Sequence, residues 1–198
     1  MKTWLFQGDS VTDCHRDKSL SASMGDGYVS LLSQTKKGIK FVNKGVSGER
    51  THDLVMRWTE DLTSIQPNYL TLLIGVNNIW HQYLLNRPSF LYEFSHHIRY
   101  MLNQVKRLFP HTKTLILSPF LLECGVVEQA WIHELDQQIS ELKLIANDYH
   151  LPFLDLHELF KKSNLPSIQI AEDGVHPTQL GHQIIAQAIE AKTPDWRG

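Results

Sequence analysis

Apolar residues recur along this chain in two alternating rhythms. Short, nearly continuous apolar runs are each followed by stretches in which apolar positions return every three or four residues. Five of the short runs read as strands: Trp4-Leu5-Phe6-Gln7-Gly8, Ile39-Lys40-Phe41-Val42-Asn43, Tyr69-Leu70-Thr71-Leu72-Leu73-Ile74, Thr114-Leu115-Ile116-Leu117-Ser118 and Pro152-Phe153-Leu154-Asp155. The third is apolar at successive positions, as a parallel strand covered on both faces must be. Helical spacing predicts a helix over residues 27–36, with Tyr28, Leu31 and Leu32 inward. Another runs through Leu54, Val55, Trp58, Leu62 and Ile65, and Pro67 stops it. A longer one over residues 89–109 carries the stripe Leu91, Phe94, Ile98, Met101, Leu102, Val105 and Leu108, with Pro110 at its end. Ile132, Leu135, Ile139, Leu142 and Ile145 mark the next. Leu180, Ile184, Ile185, Ala188 and Ile189 mark the last.

Residues 11–26 and 119–129 carry neither rhythm and read as loops, and the tail over 193–198 reads as frayed. A short helical turn is expected between the fifth strand and the last helix. Strands separated by helices imply a doubly wound parallel sheet with helices on both faces. No linker, repeat or low-complexity tract interrupts the pattern, so a single domain over residues 1–198 is expected. A chain of 198 residues can bury about 70% of its unfolded surface.

Composition narrows the partners. The formal charge is -2, without a basic run, so nothing attracts nucleic acid. Runs such as residues 70–76 and 115–122 are too short to span a bilayer. Met1-Lys2-Thr3 leads straight into the first strand, which leaves no room for a signal peptide. The two cysteines, Cys14 and Cys124, make neither a disulfide framework nor a metal knuckle. A cytoplasmic protein is expected. There are eleven histidines, but no His-Glu-x-x-His spacing, so neither a metal nor another cofactor is expected.

Three strands run into loops of small or amide residues: Gly8-Asp9-Ser10, Gly45-Val46-Ser47-Gly48 and Gly75-Val76-Asn77-Asn78. In open α/β sheets, ligands bind where such loops leave the carboxyl ends of the strands. Ser10 is the candidate nucleophile, its own N–H serving as one oxyanion donor. Gly48 offers a second backbone N–H that no Cβ shields, and Asn77 offers a side-chain amide. Losing one such donor typically costs about 3–4 kcal/mol of transition-state stabilisation. Near the other end, Asp173-Gly174-Val175-His176-Pro177 supplies a base and the carboxylate that would hold its tautomer. Pro177 suits the first position of the last helix, which would set His176 at a helix N-terminus, where the dipole disfavours imidazolium. Singly, each block also reads as a turn or cap; it is their convergence on one sheet edge that argues for chemistry.

Two rival nucleophiles are weaker. Ser47 follows Gly45, but Glu49 stands where a Gly-x-Ser-x-Gly turn needs its second glycine. Nothing near Cys14 marks an activated thiol.

Taken in order, Gly8-Asp9-Ser10, Gly48, Gly75-x-Asn77 and Asp173-x-x-His176 resemble the blocks of the SGNH hydrolases, also called the GDSL lipases and acylhydrolases. The resemblance covers essentially the whole chain. It implies a flavodoxin-like three-layer α/β/α sandwich with a five-stranded parallel sheet. It also implies a Ser10–His176–Asp173 triad, and an oxyanion hole of Ser10, Gly48 and Asn77. The family usually has Gly-x-Asn-Asp in its third block, so Asn78 stands in place of a carboxylate, and weaker loop support is expected there. Finer stretches, including Gly75-Val76-Asn77-Asn78-Ile79-Trp80-His81-Gln82-Tyr83, are similar to the small intracellular branch that includes acetylxylan esterases.

The expectation is a serine esterase that releases acetyl or other short acyl groups from sugars or oligosaccharides through an acyl-enzyme. Asp9, Trp80 and Tyr83 are candidate substrate contacts, with the last two as a platform for a sugar ring. Trp80 and Tyr83 could equally form a hydrophobic plug. Three alternatives remain. One is a lysophospholipase or thioesterase whose acyl channel is lined by Phe120, Leu121, Leu122, Val126 and Val127. Another is a flavodoxin-like module binding a nucleotide or flavin, which the absence of Gly-x-Gly-x-x-Gly disfavours. A third is an esterase-like scaffold inactivated at Asn78. Aromatic residues in the loops and the tail leave a homo-oligomer open.

Overall fold

The computed structural model describes residues 1–198. The strands are β1 (Lys2–Gly8), β2 (Ile39–Asn43), β3 (Tyr69–Leu73), β4 (Lys113–Leu117) and β5 (Phe153–Leu154). The longer helices are α2 (Tyr28–Thr35), α3 (Thr51–Ile65), α4 (Val76–Leu85), α5 (Leu91–Leu108), α6 (Gln129–Asp148) and α9 (Gln179–Lys192). Three shorter ones complete the chain: α1 (Ser10–Asp13), α7 (Leu156–Lys162) and α8 (Ser167–Ile170).

All five strands are parallel, in the order β2-β1-β3-β4-β5. This is the flavodoxin-like order, whose switch point lies between β1 and β3. The registers Phe6↔Asn43 and Gly8↔Leu73 bring the ends of β2, β1 and β3 to one rim.

Strand alternation divides the core into two layers. Trp4 and Phe6 of β1 pack with Phe41, Tyr69 and Leu115 beneath α2 and α9, whose Tyr28, Leu32, Ile185 and Ile189 are buried. Leu5 turns the other way and joins Val42, Leu70, Leu72 and Ile116 beneath α3, α5 and α6, through Trp58, Phe94, Ile98 and Ile145. Both faces are covered, and so the strands read as continuous apolar runs.

Several expectations need correction. Residues 76–85 form α4, which the periodicity missed because only its first turn is buried while Leu84 and Leu85 face outward. Leu91 and Leu180 are exposed rather than core residues. The tail is not frayed. Trp196 is 3% exposed, stacked on Tyr69 with ring centres 4.8 Å apart and edge-on to Trp4 at the same distance. The Tyr69 hydroxyl donates to the Arg197 carbonyl at 2.9 Å and accepts the Arg197 N–H at 3.2 Å.

Candidate active site

β1 delivers Ser10 to the rim. Just before it, the Asp9 carboxylate accepts the Val11 N–H at 3.1 Å and caps α1. Ser10 is the first residue of that turn, so its N–H has no intrahelical acceptor. Ser10 Oγ lies 3.0 Å from His176 Nε2, and His176 Nδ1 lies 2.6 Å from Asp173 Oδ2. The other Asp173 oxygen accepts the backbone N–H groups of Val175 at 2.9 Å and His176 at 2.7 Å. One carboxylate thus folds the loop and orients the ring. With the Nδ1 proton directed at Asp173, Nε2 offers its lone pair to the serine hydroxyl. Burial pushes the Asp173 carboxyl upward, but the donors from His176 and Val175 outweigh it and hold the group below the ordinary carboxylate range.

The helix following this loop begins later than expected. Thr178, not Pro177, precedes the first turn of α9, and its hydroxyl accepts the Gly181 N–H at 3.2 Å. His176 therefore stands farther from the helix end than the sequence suggested, and the dipole argument loses force.

Gly48 is the third residue of a turn closed by the Glu49 N–H on the Val46 carbonyl at 3.2 Å. Its φ of 83° favours glycine, and a Cβ placed there would meet nothing within 4 Å. The expected turn is present, and the space where a side chain would stand is open. Asn77 is buried, with Nδ2 donating to the Glu49 carbonyl at 3.0 Å. An amide carries two N–H donors, and this bond uses one of them.

Glu49 is itself clamped. Its carboxylate accepts Arg57 Nε at 2.8 Å and Nη2 at 2.5 Å, while Arg57 Nη1 reaches Gln7 Oε1 at 2.7 Å and Asp61 Oδ2 at 2.5 Å. This relay from β1 to the Gly48 turn escaped the sequence reading. Its signals were a glutamine inside an apolar strand and an Arg57/Asp61 pair four residues apart on one helix.

Asn78, expected to give weaker support than a carboxylate, makes three hydrogen bonds in its loop. Oδ1 accepts the Thr51 N–H at 3.1 Å, and Nδ2 donates to Thr51 Oγ1 at 3.2 Å and Ser89 Oγ at 3.0 Å.

Both rival nucleophiles are occupied. The Ser47 hydroxyl and N–H donate to Asp13 Oδ2 at 2.8 and 2.9 Å, and Gly45 lets the two loops approach this closely, since a Cβ there would lie 2.3 Å from the Asp13 nitrogen. Cys14 Sγ lies 3.2 Å from His182 Nε2, whose Nδ1 accepts the Tyr28 N–H at 3.2 Å. Nε2 therefore carries the proton and donates to sulfur. Burial pushes His182 down to about 4 and the Cys14 thiol up, so the pair is neutral. It pins the segment after Ser10 to the helix after His176, another link the sequence reading missed.

Of the proposed substrate contacts, Trp80 stands edge-on to the His176 ring with centres 5.8 Å apart, beside the site. Tyr83 stacks on Trp131 at 5.1 Å while staying 38% exposed, and its hydroxyl lies within donating distance of Ala130 O and Glu134 Oε1. Asp9 is 1% exposed and faces away from solvent; it shapes the turn instead of meeting a substrate.

Residues 119–127 do not form an acyl channel. Phe120, Leu121, Leu122 and Val127 are buried in the core, and of the five only Val126 is exposed. The loop instead braces Asp173 and Gly174, through Leu122 N–H to Gly174 O at 2.9 Å and Val126 N–H to Asp173 O at 3.3 Å. The cleft beside His176, about 490 Å³, is bordered by Glu172, Asp173, Pro177, Thr178 and Gln179, with no large apolar side chain among them.

A hydroxyl, imidazole and carboxylate in line are the parts that nucleophilic acyl transfer requires. Comparison with known proteins agrees with that chemistry. Residues 6–184 match the model of the GDSL-like Lipase/Acylhydrolase family. The chain is 34% identical over 202 residues to an acetylxylan esterase of Geobacillus stearothermophilus, covering 93% of this chain and 90% of that one. The crystal structure of Axe2, an acetylxylan esterase from the same organism, superposes with a TM-score of 0.86 at 31% identity, over 96% of this chain and 93% of that one. Catalytic mutants of Axe2 with a serine or a histidine replaced by alanine are also among the similar structures. A GDSL-like lipase from Parabacteroides merdae gives a TM-score of 0.92 at 27% identity, covering 98% and 95%. A catalytic relative this similar sets aside the nucleotide- or flavin-binding alternative. The chain belongs to the GDSL-like lipase/acylhydrolase family and is a carboxylic ester hydrolase.

Proposed function

We propose that the protein is a serine esterase that removes acetyl groups from sugar or oligosaccharide hydroxyls. The observation that carries this is the unbroken line from Ser10 Oγ through the His176 ring to Asp173, at 3.0 and 2.6 Å. Ser10 Oγ attacks the ester carbonyl while His176 Nε2 takes its proton, and Asp173 stabilises the imidazolium that forms. The developing oxyanion is received by the N–H groups of Ser10 and Gly48 and the free amide N–H of Asn77. Collapse of the tetrahedral intermediate breaks the ester C–O bond, and His176 returns the proton to the departing sugar oxygen. Water, deprotonated by His176, then attacks the acetyl-serine and releases acetate.

The short acyl preference is supported by the burial of Phe120, Leu121, Leu122 and Val127, which are not available to line a channel, and by the absence of large apolar side chains around the cleft beside His176. The sugar preference is supported by similarity to the Geobacillus acetylxylan esterase. The test is a panel of acetylated sugars and aryl esters of increasing acyl length, run beside Ser10→Ala. Turnover is expected for acetyl esters, falling with chain length, and none from the folded variant. Retained turnover by Ser10→Ala would overturn the nucleophile, and a preference for long acyl chains would install the lysophospholipase reading instead.

A further inference from the structure

We propose that the polar cleft between the start of α3 and the first turns of α5 binds sugar rings remote from the ester being cleaved; this rests on the esterase reading above. The cleft encloses about 570 Å³, within the range of small-molecule sites. Its walls are Arg50, His52, Tyr92, Glu93, His96 and His97, and Asn78 and Ser89 border it on the α4 side.

Three observations point to a polyol. The lining mixes donors and acceptors: a guanidinium, a carboxylate and three imidazoles, each able to pair with a hydroxyl, which both donates and accepts. An anion would want donors alone, and Glu93 would repel it. An acyl chain would want a continuous apolar wall, whereas here Pro88 and the Tyr92 ring stand among charged and polar side chains. Next, Tyr92 borders the cleft 69% exposed and is backed by Phe90, stacked on it at 5.7 Å, so an aromatic ring of the kind that covers the C–H side of a sugar is held at the cleft's edge. Finally, the cleft adjoins the proposed oxyanion donors along the chain. Arg50 is two residues past Gly48 and Asn78 one past Asn77, so backbone of at most about 8 Å separates them.

The walls are already ordered. His97 Nδ1 lies 3.0 Å from Thr51 Oγ1, and Asn78 holds both Thr51 and Ser89. Burial, reinforced by His52 and His96, pushes His97 below the ordinary histidine range, so it stays neutral near neutral pH. A sugar entering this cleft would find a site that needs little reordering. Binding of rings far from the reacting carbon can then be spent on aligning the ester over Ser10.

The double variant Glu93→Gln/His96→Ala alters two exposed side chains that carry no core packing. Wild type and variant are assayed on acetylated xylotriose and on an aryl acetate. The ratio of the two kcat/KM values is expected to fall about tenfold or more in the variant, mainly through KM on the oligosaccharide, as the loss of one or two hydrogen bonds implies. In parallel, Ser10→Ala is titrated calorimetrically with unacetylated xylotriose and with inorganic phosphate. Saturable binding of the sugar but not phosphate, weakened when Glu93→Gln/His96→Ala is added, is the supporting result. An unchanged ratio, with wild type cleaving both substrates, would overturn the subsite and leave the esterase reading standing. Saturation by phosphate and not sugar would overturn it in favour of an anion site. Failure of the wild type to cleave acetylated xylotriose would remove the sugar substrate and this subsite together.

Discussion

Replacing Asp9 by Asn exchanges a carboxyl for an amide of the same shape and keeps the oxygen that accepts the Val11 N–H. What disappears is a titration. Asp9 is 1% exposed, and burial pushes its carboxyl from an ordinary 3.8 up to about 7, against the Val11 hydrogen bond and the nearby His176, which pull it down. Between those two values the folded protein holds a proton that the unfolded chain has released. A raised carboxyl pKa means that folding becomes less favourable as pH rises through that window, the opposite of the Asp173 case. About three units at about 1.36 kcal/mol each give a penalty of about 4 kcal/mol, fully developed above the folded value. The Asn variant escapes it, and the titrations of groups not coupled to Asp9 cancel in the difference between the two proteins. Urea unfolding followed by tryptophan fluorescence, from about pH 5 to about pH 8, measures that difference. The stability advantage of Asp9→Asn should grow by about 3 kcal/mol across the series. A difference that stays flat with pH would refute the reasoning, because it would mean that the buried carboxyl is already ionised at the acid end.

Asp173→Asn should lower kcat on an aryl acetate by about four orders of magnitude, because the amide favours the wrong tautomer of His176; steady-state kinetics on the folded variant decides it. Arg57→Met frees Glu49 and, through it, the Gly48 turn and Asn77. It should reduce kcat about tenfold with KM little changed, and cost about 3 kcal/mol of stability through the stranded carboxylates. A variant that lost stability but kept kcat would show the relay to be purely structural. Trp196→Ala empties a core position between Trp4 and Tyr69 and should cost about 3–5 kcal/mol in thermal or denaturant unfolding; a truly frayed tail would show no change.

Much of this molecule was legible along the chain because the physics that governs it is local. A run such as Tyr69-Leu70-Thr71-Leu72-Leu73 has no polar face to show to water, so it must lie between two helical layers. Once five such runs alternate with helices, the loops at their carboxyl ends converge, which is why Ser10, Gly48, Asn77 and the Asp173–His176 loop could be grouped before any coordinates. The α4 helix was missed because only its first turn meets the core, leaving the later turns without the apolar spacing that marks a helix. The relay from Gln7 through Arg57 to Glu49 and the Cys14–His182 pin join residues 50 and 168 positions apart. No spacing rule connects such residues.

By itself, then, the order of residues determined the layers, the rim and the reactive side chains carried to it, since periodicity and turn chemistry act over a few neighbouring positions. Only the tertiary structure decided whether those side chains met at hydrogen-bonding distance, and which carboxyl was buried deeply enough for its pKa to rise. It also turned an apparent acyl channel into a brace and an apparent loose end into core. Each of these depends on which atoms of distant segments exclude water from one another, a property of the packed chain and not of any stretch within it.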